Sequence, residues 1–157
     1  MSSIVIELQK NALDKNVSIS ELLRKSLVIA RKLKIIEFER WVSSELNGYS
    51  KTDKIPEYRW GTGSVKAWNP YYGWQPVMFK DNKTSAAVSR RANNQSIAEI
   101  ENLLEKDDGN SVYQMPFSVN TEDRLRKAID FDTQITLFIP STNIIKIVTD
   151  RCYRAIR

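Results

Sequence analysis

Histidine is absent from this 157-residue chain. That single absence excludes Ser-His-Asp and Cys-His catalysis, imidazole-based zinc hydrolysis and histidine phosphotransfer. Cysteine occurs once, as Cys152, so neither an internal disulfide nor a thiolate zinc cage is available, and a reducing cytoplasm is the expected location. No uninterrupted apolar run approaches the roughly 18–20 residues of a membrane span, so no membrane partner is expected. The opening Met1-Ser2-Ser3 lacks the charged-then-apolar layout of a secretory signal. Internal repeats, low-complexity tracts and linker-like stretches are also missing. Any catalysis would rest on carboxylates, lysine, arginine or tyrosine, and the expectation is that the chain has no catalytic residue, no bound cofactor and no metal.

What is present is ordinary in bulk: 41% hydrophobic and 27% charged residues, enough for one domain over residues 1–157 with a core of its own. The net charge of +5 is unevenly distributed. Residues 60–95 carry Lys66, Lys80, Lys83, Arg90 and Arg91 against Asp81 alone, residues 96–123 carry seven acids against Lys106, and the remainder is basic again. Such a balance permits nucleic-acid or acidic-protein partners without requiring them, and a solvated surface is the plainer account.

Helical spacing of Ile4, Val5, Leu8, Ala12 and Leu13 predicts an opening helix over 3–14. Ser18-Ile19-Ser20-Glu21 has the form of a capping box. The stripe Ile19, Leu22, Leu23, Leu27, Ala30 and Leu33 follows it, with Arg24, Lys25, Arg31 and Lys32 opposite as a solvated face or an anion-binding stripe. The apolar phase shifts at Leu33-Lys34-Ile35. Ile35, Phe38, Trp41, Val42 and Leu46 define a second stripe, with Glu37, Glu39 and Glu45 outside it, until Gly48. A helical hairpin over 18–47 results.

Pro56, Pro70, Pro76, Gly61, Gly63 and Gly73 then exclude a long helix. The runs 58–60, 64–68 and 76–79 read as strands of a small antiparallel sheet within 55–79, and 134–139 is the best strand of all. A second capping box, Ser96 to Glu99, opens a helix to Lys106. Residues 111–117 suggest a strand, 122–129 a short helix, and 141–156 a final helix carrying Ile144, Ile145, Val148, Cys152 and Ile156 inward. Cys152, on that apolar face, reads as a buried, inert thiol. The expected class is α+β, an N-terminal helical hairpin packed with a small antiparallel sheet and further helices.

The stretch 22–59 contains the blocks Glu45-Leu46-Asn47-Gly48-Tyr49 and Pro56-Glu57-Tyr58-Arg59. With its helical hairpin it resembles the AbiTii domain of bacterial abortive-infection proteins. The later helices, SIAEIENLL at 96–104 and IIKIVTDRCYRAI at 144–156, look like those of that family in the same order. The Trp-rich stretch 60–76 has no counterpart in the pattern. The resemblance implies a role in defence against bacteriophage, and it carries no catalytic motif. On physical grounds Gly48 ends a helix, Tyr49 covers the hairpin end, Pro56 fixes the entry to a strand, and Tyr58 with Arg59 locks it by packing and a charge-assisted bond.

Two carboxylate sets are candidates for a metal-dependent nuclease: Glu99, Glu101, Glu105 with Lys106, and Asp130, Asp132 with Gln134. Neither has a matching Glu-x-Lys strand, and acidic turns usually cap their neighbours. The aromatic stretch is the stronger candidate. Trp68, Tyr71, Tyr72 and Trp74 fit a protein-contact patch on a partner or second copy. With Lys66, Arg90 and Arg91 they fit, alternatively, a stacking platform for nucleic acid. They equally suit a core covering the hairpin.

Overall fold

The computed structural model describes residues 3–51 and 53–157; Met1 and Ser2, on which the signal-peptide reading bears, lie outside them. Helix α1 (Ser3–Leu13) is followed by α2 (Ile19–Leu33) and α3 (Ile36–Asn47), which form the expected hairpin. Ser18 opens α2 by accepting the Glu21 N–H at 3.2 Å. The Glu21 carboxylate turns instead to Lys25 at 3.4 Å, so this box closes on one side only. Lys34 ends α2 in the left-handed region, φ 55°, its N–H returned to the carbonyls of Ala30 and Arg31. A non-glycine residue there costs about 1 kcal/mol, which the packing of α2 on α3 offsets. Leu22, Leu23 and Ala30 are fully buried, whereas Leu33 and Ile35 project beyond the hairpin tip and stay exposed.

After α3 the chain makes a 3-10 turn, Glu57–Arg59, then β1 (Trp60–Thr62), β2 (Ser64–Asn69), β3 (Gly73–Pro76), α4 (Asn82–Val88) and β4 (Arg90–Ala92). The rest is α5 (Ile97–Glu105), β5 (Val112–Pro116), α6 (Val119–Ile129), β6 (Ile135–Pro140), a 3-10 turn at Ser141–Asn143 and α7 (Ile145–Ile156). The strands form two antiparallel sheets: a pair β1-β4 and a four-stranded sheet in the order β3-β2-β6-β5. The α+β class holds.

Several boundaries differ from the sequence expectation. Tyr58 and Arg59 lie in the 3-10 turn rather than in a strand, because Pro56 fixes φ at −57° and its carbonyl accepts the Arg59 N–H at 3.0 Å. The third strand is 73–76, not 76–79: Tyr71 and Tyr72 N–H both donate to Asn69 Oδ1, and that turn starts the return strand earlier. Helix α4, capped by Asp81, and strand β4 lie in a segment with no apolar periodicity to announce them.

Gly63 joins β1 to β2, and a Cβ there would lie 2.0 Å from the Phe138 carbonyl oxygen. Only glycine allows β2 to cross so close to β6.

The inner face of the larger sheet (Val65, Ile135, Leu137, Ile139) joins Ile97, Ile100, Val42, Ile144, Ile145, Val148 and Cys152 in the main core. At about 1.5–3 kcal/mol for each fully buried aliphatic side chain, this cluster dominates the apolar stabilisation. A smaller one, Leu8, Ala12, Leu22 and Ile29, seats α1 on α2. No helix among the described residues is long and apolar enough to cross a membrane.

Candidate interaction surface

The two sequence blocks around Glu45 and Arg59 meet inside the protein. Both residues are 0% exposed, which corrects the placing of Glu45 outside the α3 stripe. Glu45 Oε2 accepts Arg59 Nη2 in an ion pair. Its Oε1 accepts the hydroxyls of Tyr49, at 2.7 Å, and Tyr58, as well as Arg59 Nε at 3.3 Å. Arg59 Nη1 spends its protons on the carbonyls of Asn93, 3.1 Å, and Gln95, 2.6 Å. Trp41 Nε1 donates to the Tyr58 oxygen at 2.8 Å.

Gly48 completes the seal with φ +82°, where a Cβ would meet the Asn94 carbonyl oxygen at 2.7 Å. Burial, reinforced by Glu45, pushes the phenols of Tyr49 and Tyr58 far above their usual range, and it raises the Cys152 thiol likewise. Burial opposes the Arg59 charge, but the bonds to Glu45 outweigh it and hold that guanidinium protonated. Every charge in this network is spent internally. It pins α3, the 3-10 turn and the segment before α5 to one another.

The aromatic stretch is different, because it faces outward. Alternation in β2 puts Val65 and Ala67 inward and Lys66 and Trp68 on the outer sheet face. The register sets Trp68 opposite Trp74, with ring centroids 5.5 Å apart and planes at 71°. Trp74 also meets the edge of Phe138 at 5.1 Å, and Lys66 Nζ lies 5.0 Å from the Phe138 ring. Trp68 remains 44% exposed, while Tyr71 and Tyr72, in the connecting turn, are 89% and 79% exposed. That turn is held by Asn69 Oδ1 and by Gln75 Nε2, which donates to the Tyr72 carbonyl. Four aromatic side chains, two of them largely in water and Trp68 nearly half so, thus stand on a rigid hairpin. They do not cover the helical hairpin.

Phe138 also belongs to this surface, although the sequence marks it only as part of a strand. Its signal was the alternation of 135–139, which puts Phe138 out of phase with the buried Ile135, Leu137 and Ile139. Arg90 and Arg91 do not join it. Arg90 pairs with Glu57 and lies over Trp60 at 5.3 Å; Arg91 donates to the Pro116 carbonyl at 3.1 Å and lies over Phe117 at 5.2 Å. Among the described residues neither makes a hydrogen bond, ion pair or ring contact with the Trp68–Trp74 pair.

The basic stripe of α2 is partly neutralised: Lys25 reaches Glu7 at 3.2 Å and Arg31 reaches Glu39 at 2.9 Å. The carboxylate candidates disperse. Glu99 closes the full capping box with Ser96, Glu101 accepts from Ser20 N–H and Oγ, Asp130 caps α6, and Asp132 approaches Arg126 at 3.7 Å. No group of three or more acidic or cysteine side chains among the described residues is placed to hold a metal ion.

Comparison with known proteins completes the picture. A family model described as AbiTii matches residues 3–151, nearly the whole length, and the chain belongs to that family. No curated protein and no solved structure matches it.

Proposed function

We propose that this AbiTii-family chain is a non-catalytic interaction module of a bacterial abortive-infection defence protein or complex. It contacts a protein partner or a second copy through Trp68, Tyr71, Tyr72 and Trp74. The observation that carries the proposal is the outward Trp68–Trp74 pair beside a turn whose tyrosines are almost wholly in water. Exposed, pre-organised aromatics of this kind supply most of the energy of protein interfaces. Trp68 and Trp74 steady the hairpin by pairing with each other, whereas Tyr71 and Tyr72 make no ring contact among the described residues. The family membership supplies the defence context.

Nucleic-acid stacking on the same platform is the second reading, favoured by Lys66 beside the rings. It is weakened by the engagement of Arg90 and Arg91 elsewhere. Trp68→Ala/Trp74→Ala and Arg90→Ala/Arg91→Ala variants separate the two when each is assayed in phage-challenged cells for protection and partner recovery. The expected result is that the aromatic pair abolishes both, in a manner nearly independent of salt, with circular dichroism unchanged. If the aromatic pair is neutral and the arginine pair abolishes salt-sensitive nucleic-acid retention, the nucleic-acid reading replaces the first.

A further inference from the structure

Strand β5 is the unpartnered edge of the four-stranded sheet, and the register shows where its free peptide groups point. Ser141 N–H donates to the Ser111 carbonyl, and Trp68 N–H to the Gln134 carbonyl. Both bonds fix the same parity: Tyr113 and Met115 exchange hydrogen bonds with β6, while Val112 and Gln114 turn their N–H and C=O groups away from it. Pro116, the next outward position, has its carbonyl capped by Arg91.

Strand β4 presents a matching edge. Its bonds to β1, from Asn93 N–H to the Arg59 carbonyl and from Gly63 N–H to the Ser89 carbonyl, leave the peptide groups of Arg90 and Ala92 turned away from β1. The two edges do not pair with one another. Residues 92–95 and 113–115 instead line opposite sides of a cavity of about 320 Å³, which Leu103, Ile144 and Ile145 complete with apolar surface.

A second observation points to a ligand. Asn93 is 4% exposed and lines this cavity. Its Oδ1 is taken by the Gln95 N–H at 3.0 Å, which fixes the orientation of the carboxamide. Nδ2 is left without a partner among the described residues. The fixed carboxamide therefore presents Nδ2 as a donor at the cavity wall, open to an acceptor from water or from a bound group. The cavity lies within the range of ligand pockets, is mostly apolar and carries a few convergent polar groups.

We infer that this groove binds an extended, uncharged peptide segment by strand addition: the segment pairs with Val112 and Gln114 of β5, inserts an apolar side chain toward Leu103 and Ile145, and gives a carbonyl to Asn93. The chemistry of the walls selects that occupant. Peptide groups recurring at every second residue match an extended backbone, whose repeat is the same. No lining residue carries a charge, so charged side chains would lose hydration there without compensation. The opposite sheet edge is less receptive, because at its outward positions Pro76 lacks an N–H. Arg91 on the Pro116 carbonyl closes one end of the groove, leaving entry from the Val112 end.

The site is separate from the aromatic face, and so is its test. A library of short random peptides, acetylated and amidated, is selected against the full chain and counter-selected against Gln114→Pro. That change removes an outward N–H and spares the β6 ladder. Enriched peptides are expected to be uncharged with alternating apolar residues, and to slow amide hydrogen exchange at Val112 and Gln114. They should bind Gln114→Pro up to about tenfold more weakly, the loss of one hydrogen bond, and Trp68→Ala/Trp74→Ala unchanged. Should Gln114→Pro lose exchange protection at Tyr113 and Met115, the same peptide bearing an N-methyl group at its central residue, tested on the unmodified chain, takes its place. Failure of any peptide to enrich, undiminished binding to Gln114→Pro or by the N-methylated peptide, or protection of other amides in place of these two, overturns the proposal.

Discussion

Removing Arg59 isolates a buried carboxylate, and the size of the penalty follows from the contacts. In Arg59→Met, Glu45 keeps the hydroxyls of Tyr49 and Tyr58 but loses its counter-charge and two charge-assisted bonds. The carbonyls of Asn93 and Gln95 lose the donor they share. Breaking a fully buried pair at one partner costs about 3–5 kcal/mol. That is a large fraction of the roughly 5–15 kcal/mol by which a domain is stable.

With a urea slope of about 2 kcal/mol/M, the unfolding midpoint falls by about 2 M, read by circular dichroism at neutral pH. Glu45→Gln, which strands the guanidinium, is expected to cost a similar amount. The double change removes both charges together and should cost no more than either single one, about 3 kcal/mol, where the sum of the singles is about 6–10 kcal/mol. A double variant whose loss equals that sum, or an Arg59→Met loss below about 1 kcal/mol, refutes the view that these residues act as one desolvated pair.

Three further outcomes follow from the structure. Gly63→Ala places a Cβ 2.0 Å from a backbone oxygen that cannot rotate away; it should cost at least about 3 kcal/mol, measured as chemical stability, or prevent soluble expression. The nearby Ser141 and Ser111 side chains, with the Gly109 and Ser111 N–H groups that donate to its Oδ1, hold the Asp107 carboxyl at about 2, below its ordinary 3.8. Its contribution is therefore full above about pH 4 and disappears as pH falls toward 2, so Asp107→Asn should flatten that part of the stability–pH curve. Tyr49 and Tyr58, raised by burial and by Glu45, stabilise the fold below the ordinary phenol range near 10 and lose that contribution as pH rises past it. In an ultraviolet titration of the six tyrosines these two should ionise only with unfolding, and an ordinary titration of all six in the folded chain would contradict the network.

The local elements were legible wherever short-range physics decides them. The α2–α3 hairpin and the Ser96 capping box follow from helical periodicity and caps, and β6 from its β-branched and apolar run ended by a proline, all carried within a dozen or so neighbouring residues. The AbiTii blocks were legible as a fold signature, and Tyr58–Arg59 as a lock, although the lock's partner was not. Glu45 lies one helical step from the apolar stripe, and a carboxylate there reads as solvated until a cation arrives from fourteen residues away. Only the tertiary structure brings Arg59 to it, because pairing in low dielectric depends on distance in space and leaves no periodicity behind.

Trp68 and Trp74 could be core, platform or interface as long as the sheet's two faces were undetermined. Pairing β2 with β6 placed them on the outer face and so removed the core from that choice, since side chains alternate and only one face meets the helices. The same pairing stranded the outward peptide groups of β5 beside Asn93, across a gap between segments about twenty residues apart in sequence. Composition by itself decided what chemistry this chain lacks. The three-dimensional meeting of strands decided which of its aromatics and backbone edges are left to meet something else, because hydrogen-bond parity is fixed only when a partner strand is chosen.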